Sequence, residues 1–233
     1  MSDLRIALVA EGPTDFEVIQ AALKAVLPNP FVLVQLQPEA TQGSSGTGWC
    51  GVLKWIQAAH QRHNGSLDTD PTLIGFDLLI IHLDVDVASK QYADCGPSIE
   101  NIAQKNNWAV LPCAQSCPPV VHTVNALDNV IKSWLGQTTP GNQTFFCLPA
   151  QSSGTWLAAA VLPPNHPLLE NGECNLTLES QLAYLSKNLR IKKTLREYRH
   201  QAPRITEKWE QVKKICTQAE IFEHFVLTTI KSQ

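Results

Sequence analysis

The chain has 233 residues, 44% of them hydrophobic and 17% charged, with a formal net charge of −3. That length suits one large domain or a domain with an extension, and the apolar share is ample for a core. The small net charge excludes a chain-wide attraction to nucleic acid, and no apolar run approaches the roughly 20 residues that a bilayer-crossing helix needs. The charge is uneven, however. Residues 187–214 hold ten Lys or Arg against three Glu, an excess of seven positive charges that leaves the remainder near −10. Such asymmetry predicts a basic face beside an acidic site; a solvated helical surface is the plainer alternative.

The N-terminus starts polar and passes directly into a short strand, the pattern of a chain without a signal peptide. The cysteines number seven, an odd count, and lie in apolar contexts such as Phe145-Phe146-Cys147-Leu148. Their pattern predicts reduced, buried thiols in a cytoplasmic protein. Cys113 and Cys117 have no second pair and no His at zinc spacing, which argues against a zinc site.

In chain order, residues 4–10 (LRIALVA) read as a buried strand. Glu11-Gly12-Pro13 breaks it, and a helix is expected over 15–27 with Thr14 as N-cap and Glu17 completing a capping box. Pro28 and Pro30 end that helix. A second strand spans 31–37. The glycine- and serine-rich stretch 41–48 leads into a helix over 49–62 and lacks the lysine of a P-loop. Its backbone N–H groups suit a phosphate, although a flexible connector is the simpler reading. After a polar linker at 64–70 comes an apolar run ending in Asp84-Val85-Asp86. A short helix (99–107), a strand (108–111), an irregular stretch (112–119), a helix (122–135) and a strand (144–148) follow. Residues 155–162 form a helix stopped by Pro163-Pro164. From Thr177 the pattern is helical throughout, over 178–188, 192–200, 204–217 and 219–230.

Strands alternating with helices predict an α/β fold, a parallel sheet flanked by helices. It is expected over residues 1–150, with 151–233 as a mainly helical C-terminal extension carrying the basic segment. Strand alternation through Leu78-Leu79-Ile80-Ile81-His82-Leu83-Asp84-Val85-Asp86 would put Asp84 and Asp86 on one face, Cα atoms roughly 6–7 Å apart. His82 shares that face and reads more simply as a hydrogen-bonded core histidine than as a ligand. Two such carboxylates repel one another, and a divalent cation such as Mg²⁺ relieves the conflict. Functional crevices of open parallel sheets lie at the carboxyl ends of strands, and Glu11 follows the first strand as Asp84 and Asp86 follow the third.

A hydrophobic strand ending in Glu11-Gly12-Pro13-Thr14-Asp15, with a second ending in Asp84-Val85-Asp86, resembles the Toprim domain. The likeness covers about residues 4–111. It implies a Toprim-like sheet, Glu11 as general acid/base, Asp84 and Asp86 as ligands of Mg²⁺ (or Mn²⁺), and Asp15 as an outer metal ligand. Two departures stand out: the D-x-D is followed by Val87-Ala88-Ser89 and then Lys90, with no glycine, and Gly154-Thr155 precede Trp156-Leu157 where stand-alone Toprim proteins carry an acid. The stand-alone, nuclease-type members are the nearest in organisation, since this chain lacks a P-loop. The resemblance therefore implies metal-dependent phosphodiester cleavage of DNA or RNA, with any ATPase supplied by a protein partner. Lys192, Lys193, Arg196 and Arg199 are the candidate nucleic-acid contacts, with Lys192, Arg196 and Arg199 along one helical stripe. Tyr198 is a candidate base-stacking ring, and helix packing is its simpler role. Two alternatives remain: a catalytically degenerate binding subunit of a larger assembly, and a haloacid-dehalogenase-like phosphotransferase with Asp84 as nucleophile.

Overall fold

The computed structural model describes residues 4–39 and 46–231. Four strands, β1 (Leu4–Val9), β2 (Phe31–Gln37), β3 (Leu78–His82) and β4 (Thr144–Cys147), form one parallel sheet in the order β2-β1-β3-β4. This confirms the α/β class and the parallel pairing. Most of the glycine-rich stretch, residues 41–45, lies outside the described residues.

Alternation along the strands divides the core into two layers. Ile6, Leu8, Leu78 and Ile80 face one side of the sheet, against helices α1 (Pro13–Val26) and, farther along the chain, α5 (Ser153–Val161). Ala7, Val9, Leu79 and Ile81 face the other side, which is covered by α2 (Gly48–Arg62), α3 (Pro97–Lys105) and α4 (Val121–Trp134). The C-terminal helices are α6 (Leu178–Leu182), α7 (Leu195–Gln201), α8 (Pro203–Glu207), α9 (Trp209–Ile215) and α10 (Thr217–Lys231). They join the first layer: Leu182, Tyr198, Ile205, Val212 and Phe222 belong to the same core as Ile6 and Val18. Trp156, Trp209 and Phe222 meet edge to face at 5.5–6.1 Å, the geometry that ring quadrupoles favour.

Several expectations are corrected. Helix α1 begins at Pro13, not Asp15, and its N-cap is Gly12 rather than Thr14. Proline at the first helical position has no N–H to lose, and Asp15 rather than Glu17 reaches back, accepting from the Gly12 N–H at 2.9 Å. Residues 108–111 are not a strand, because their backbone groups go elsewhere. Ala109 N–H donates to Ser133 Oγ, and Ala109 O accepts from the Tyr92 hydroxyl. Strand β3 stops at His82, and Val85–Ser89 forms a 3₁₀ turn; beyond His82 the Leu83 and Val85 N–H groups still donate to Cys147 O and Pro149 O, but the backbone leaves the extended strand. The helix expected over 178–188 ends at Leu182, and the one over 204–217 divides at Lys208. The one expected over 192–200 begins only at Leu195, capped by Thr194, whose side chain accepts from Glu197 N–H.

The thiols are corrected as well. Cys50 pairs with Cys95 and Cys117 with Cys174, while Cys113, Cys147 and Cys216 are free. The partners are separated by 45 and 57 residues, a pairing that spacing alone does not reveal. The expectation of reduced thiols holds only for the three free cysteines, and the cytoplasmic reading loses its support from cysteine chemistry. Among the described residues no helix is long and apolar enough to cross a membrane.

The approach to β3 depends on one buried acid. Asp70 accepts from Arg62 Nε and Nη2, the latter at 2.6 Å, and from the Thr72 N–H and hydroxyl. Burial pushes its carboxyl up, but these donors outweigh burial and hold it below the usual range. Charge-assisted bonds of this kind contribute about 1.5–3 kcal/mol, so Asp70→Ala should lower the unfolding free energy by about 2 kcal/mol near neutral pH. Because the folded-state pKa is depressed, the contribution is present above about pH 4 and is lost as pH falls through the lower folded value. Urea titrations of both proteins across acid pH should show the difference shrinking only below that point.

Candidate functional site

In the order β2-β1-β3-β4 the chain leaves β1 toward β2 on one side, while β3 lies on the other. The crevice beyond the carboxyl ends of β1 and β3 is therefore the topological switch point, where ligands of open α/β sheets bind. Glu11 and Asp84 both emerge there. The Glu11 Oε1 accepts from the Asp84 backbone N–H at 2.7 Å, tying the two strand ends together.

Behind this contact lies a buried polar group. His82, the last residue of β3, is completely buried. Its Nε2 lies 3.3 Å from Asp84 Oδ1 and its Nδ1 lies 4.0 Å from Asp15 Oδ2. Neither ring nitrogen has hydrogen-bond geometry with any partner. Ser153, at the first position of α5, bridges the two acids: its N–H donates to Asp84 Oδ1 at 2.9 Å and its hydroxyl to Asp15 Oδ1 at 2.7 Å. One donor atom each from Asp15, His82 and Asp84 lie within 4.8 Å of one another, a spacing that could hold a metal ion. Metal bonds of about 2.1 Å put opposite ligands about 4.2 Å apart, so a small inward shift would complete a shared sphere. The two unpartnered buried nitrogens of His82 fit such a role, since metal-binding imidazoles need one free nitrogen.

The electrostatics follow from packing these charges together. Burial pushes the Glu11 carboxyl well above the usual carboxylate range, and Asp84 and Asp15 push the same way. Burial and Asp15 raise Asp84 to about 6, against the opposing contact with His82. Burial lowers His82, yet Asp15, Asp84 and Glu11 together outweigh it and lift the imidazole to about 9. The group thus carries its own cation, the imidazolium between two aspartates.

Of the acids named from the sequence, Glu11, Asp15 and Asp84 come together. Asp86 stands apart from the Asp15–His82–Asp84 group. It sits in the 3₁₀ turn, its side chain is 43% exposed, and it lies 3.9 Å from Lys90. Shared strand alternation cannot place Asp84 and Asp86 on one face, because the strand has ended. Of the other members of the site, Ser153 escaped the sequence reading, and His82 was placed on the Asp84 face but read as a hydrogen-bonded core histidine. His82 was legible by its two-residue phase with Asp84; Ser153 carried only the weak signal of a serine opening a helix.

The basic candidates are spread out. Lys192 and Lys193 precede α7, so Lys192, Arg196 and Arg199 do not form one helical stripe. Arg199 Nε pairs with Glu17 at 2.8 Å, and Lys193 Nζ with Glu179 at 2.7 Å. Glu179 also accepts from the Tyr198 hydroxyl; Tyr198 is buried in the core and is not a stacking surface. The Glu179 carboxylate rests on Gly154, where an added Cβ would lie 2.6 Å from Oε1. Burial works against the Lys193 ammonium, but Glu179 first, then Asp84 and Asp15, hold its pKa above the usual range. The C-terminal helices therefore bring one lysine within the field of the crevice.

Comparison with family models, curated proteins and solved structures gives no match to this chain.

Ser153→Ala removes the hydroxyl bond to Asp15 while sparing the backbone bond to Asp84. A hydrogen bond to a charged group contributes about 1.5–3 kcal/mol, and chemical denaturation in EDTA should show a loss of that size. A change under about 0.5 kcal/mol would mean that the serine hydroxyl does not hold the acids in place.

Proposed function

We propose that this chain is a divalent-metal-dependent phosphodiesterase acting on nucleic acid, with its site at the β1–β3 crevice. One observation carries the reading: Glu11 is hydrogen-bonded to the Asp84 backbone beside a buried Asp15–His82–Asp84 group whose donor atoms lie at metal-holding distances. The resemblance of the Glu11–Asp15 and Asp84–Asp86 motifs to the Toprim domain supports the same chemistry.

In this reading Asp84, Asp15 and His82 hold Mg²⁺ or Mn²⁺, and the imidazole nitrogen in the donor set favours Mn²⁺. A divalent ion there supplies Lewis acidity toward a phosphoryl oxygen and lowers the pKa of bound water. Glu11 is the proton carrier: it stands beside Asp84 at the strand ends, and burial shifts its carboxyl upward, the direction that suits a group delivering a proton to the departing oxygen. Ser153 fixes the two aspartates. Lys193 sets positive charge beside them, and the exposed Lys192 and Arg196 attract the polyanion from outside.

A second reading, a non-catalytic binding subunit, is favoured by one fact. Both Asp15 oxygens and one Asp84 oxygen already accept hydrogen bonds within the protein, so the group serves equally as a buried staple. The phosphotransferase reading finds less support, because a nucleophilic Asp84 would have to be more open than this nearly buried side chain.

Calorimetric titration of EDTA-treated protein with Mn²⁺ and Mg²⁺ separates the first two. The nuclease reading expects binding that Asp84→Asn abolishes. It also expects cleavage of labelled oligonucleotides that Glu11→Gln slows by about 10²–10⁴-fold with metal affinity retained. Wild-type protein that binds neither ion, or Glu11→Gln that cleaves at the wild-type rate, would overturn it.

A further inference from the structure

Between α6 and α7 the chain forms a loop built to present one aromatic ring. The Ile191 N–H donates to Leu182 O at 3.1 Å, closing residues 183–190 at a neck. Ile191 is buried, and Leu185 and Leu189 pack partly against the core, so the loop is anchored from beneath. Leu189 and Arg190 N–H both donate to Ser186 O, which stiffens its far side. Above these anchors Tyr184 is 88% exposed, the most exposed large apolar side chain among the described residues. Lys187, Arg190 and Lys192, three to eight residues farther along the chain, are exposed as well, and among the described residues none of the three has an ion-pair partner. The next residue, Lys193, is the lysine that lies in the field of Asp84 and Asp15.

A loop anchored at its neck and from beneath, with an exposed tyrosine and three exposed, unpaired cations within nine residues of chain, has the chemistry of a single-stranded nucleic-acid contact. Bases stack on an exposed ring whatever their sequence, and cations track the phosphates between them. A duplex offers no free base face to such a ring. The crevice makes the same selection, since Asp15, His82 and Asp84 lie beneath the surface and a flexible strand reaches a recess more readily than a stiff duplex.

We propose that the loop of residues 183–190 and its neck bind single-stranded nucleic acid, with Tyr184 stacking on a base and Lys187, Arg190 and Lys192 holding the flanking phosphates. The strand then runs past Lys193 toward the crevice. This last step rests on the phosphodiesterase reading; the binding itself does not.

The test is fluorescence anisotropy in EDTA, where cleavage is silent, with labelled oligo(dT), oligo(U) and a duplex of equal length. Wild-type protein should bind both single strands more tightly than the duplex, and comparison of the two oligomers tells DNA from RNA. Tyr184→Ala should weaken single-strand binding by about 5–150-fold, the equivalent of one stacked base, whereas Tyr184→Phe should retain it. Replacing Lys187, Arg190 and Lys192 by Ala should flatten the log–log salt dependence by about two units, at about 0.7 per phosphate contact. Equal or tighter binding of the duplex, no binding at low salt, or unchanged affinity in Tyr184→Ala would overturn the proposal. Single-strand binding without cleavage in Mn²⁺ would leave this surface standing and remove the phosphodiesterase reading alone.

Discussion

Two aspartates and an imidazole buried at one point oblige the surrounding chain to supply their partners. An ion withdrawn from water costs several kcal/mol unless it is paired and hydrogen-bonded. Here the contacts come from three stretches of chain: the Glu11–Gly12 turn, the end of β3 and the start of α5. Gly12, opening α1, donates to Asp15. Ser153, opening α5, donates to both Asp15 and Asp84. His82 ends β3 between the two acids, and Glu11, just past β1, takes the Asp84 N–H. The carboxyl edge of the sheet is thus fixed by polar contacts in the same way that its faces are fixed by apolar ones. No one of these segments can shift without leaving a buried charge unpartnered.

The same constraint explains why the C-terminal helices are a layer of the fold. Helix α5 must lie against the sheet for Ser153 to reach the aspartates, and its wholly apolar body then needs cover. Trp209, Val212 and Phe222 provide it. Helix α6 follows closely enough for Glu179 to rest on Gly154, which has no side chain to obstruct it. Glu179 in turn anchors Lys193 and the Tyr198 hydroxyl. A chain of contacts therefore runs from the buried acids outward to the basic segment, and positive charge reaches the crevice through Lys193 rather than through a continuous helical stripe.

A burial this complete bears on chemistry in two directions. Low local dielectric raises Glu11, and raises Asp84 to about 6, the direction in which buried acid/base groups are tuned. It also favours the internally neutralised state, in which the His82 imidazolium stands where a metal cation would. Whether the crevice is catalytic or structural turns on which cation wins, the proton on His82 or a divalent ion.

Much of this was legible in the sequence wherever the signal is local. The short apolar runs at 4–9, 31–37 and 78–82 marked three strands, because a parallel sheet covered on both faces demands apolar residues on each. Glycine and proline after β1 fixed the tight turn that carries Glu11 to the crevice. Glu11 and Asp84 were legible as site residues by their position just past strand ends, and Asp15 only through the resemblance of the motif that holds it. Decisions that depend on what lies opposite were not. Asp86 leaves the group because the chain turns into a 3₁₀ turn after Asp84, so strand alternation no longer governs where its side chain goes. His82 and Ser153 join it only once α5 docks on the sheet. The pairing of Cys50 with Cys95 and of Cys117 with Cys174 rests on chain segments that lie far apart until folding brings them together. Pattern along the chain determined which elements form and which edge bears the acids; packing between distant elements decided which side chains meet there, because burial and pairing are properties of neighbours in space.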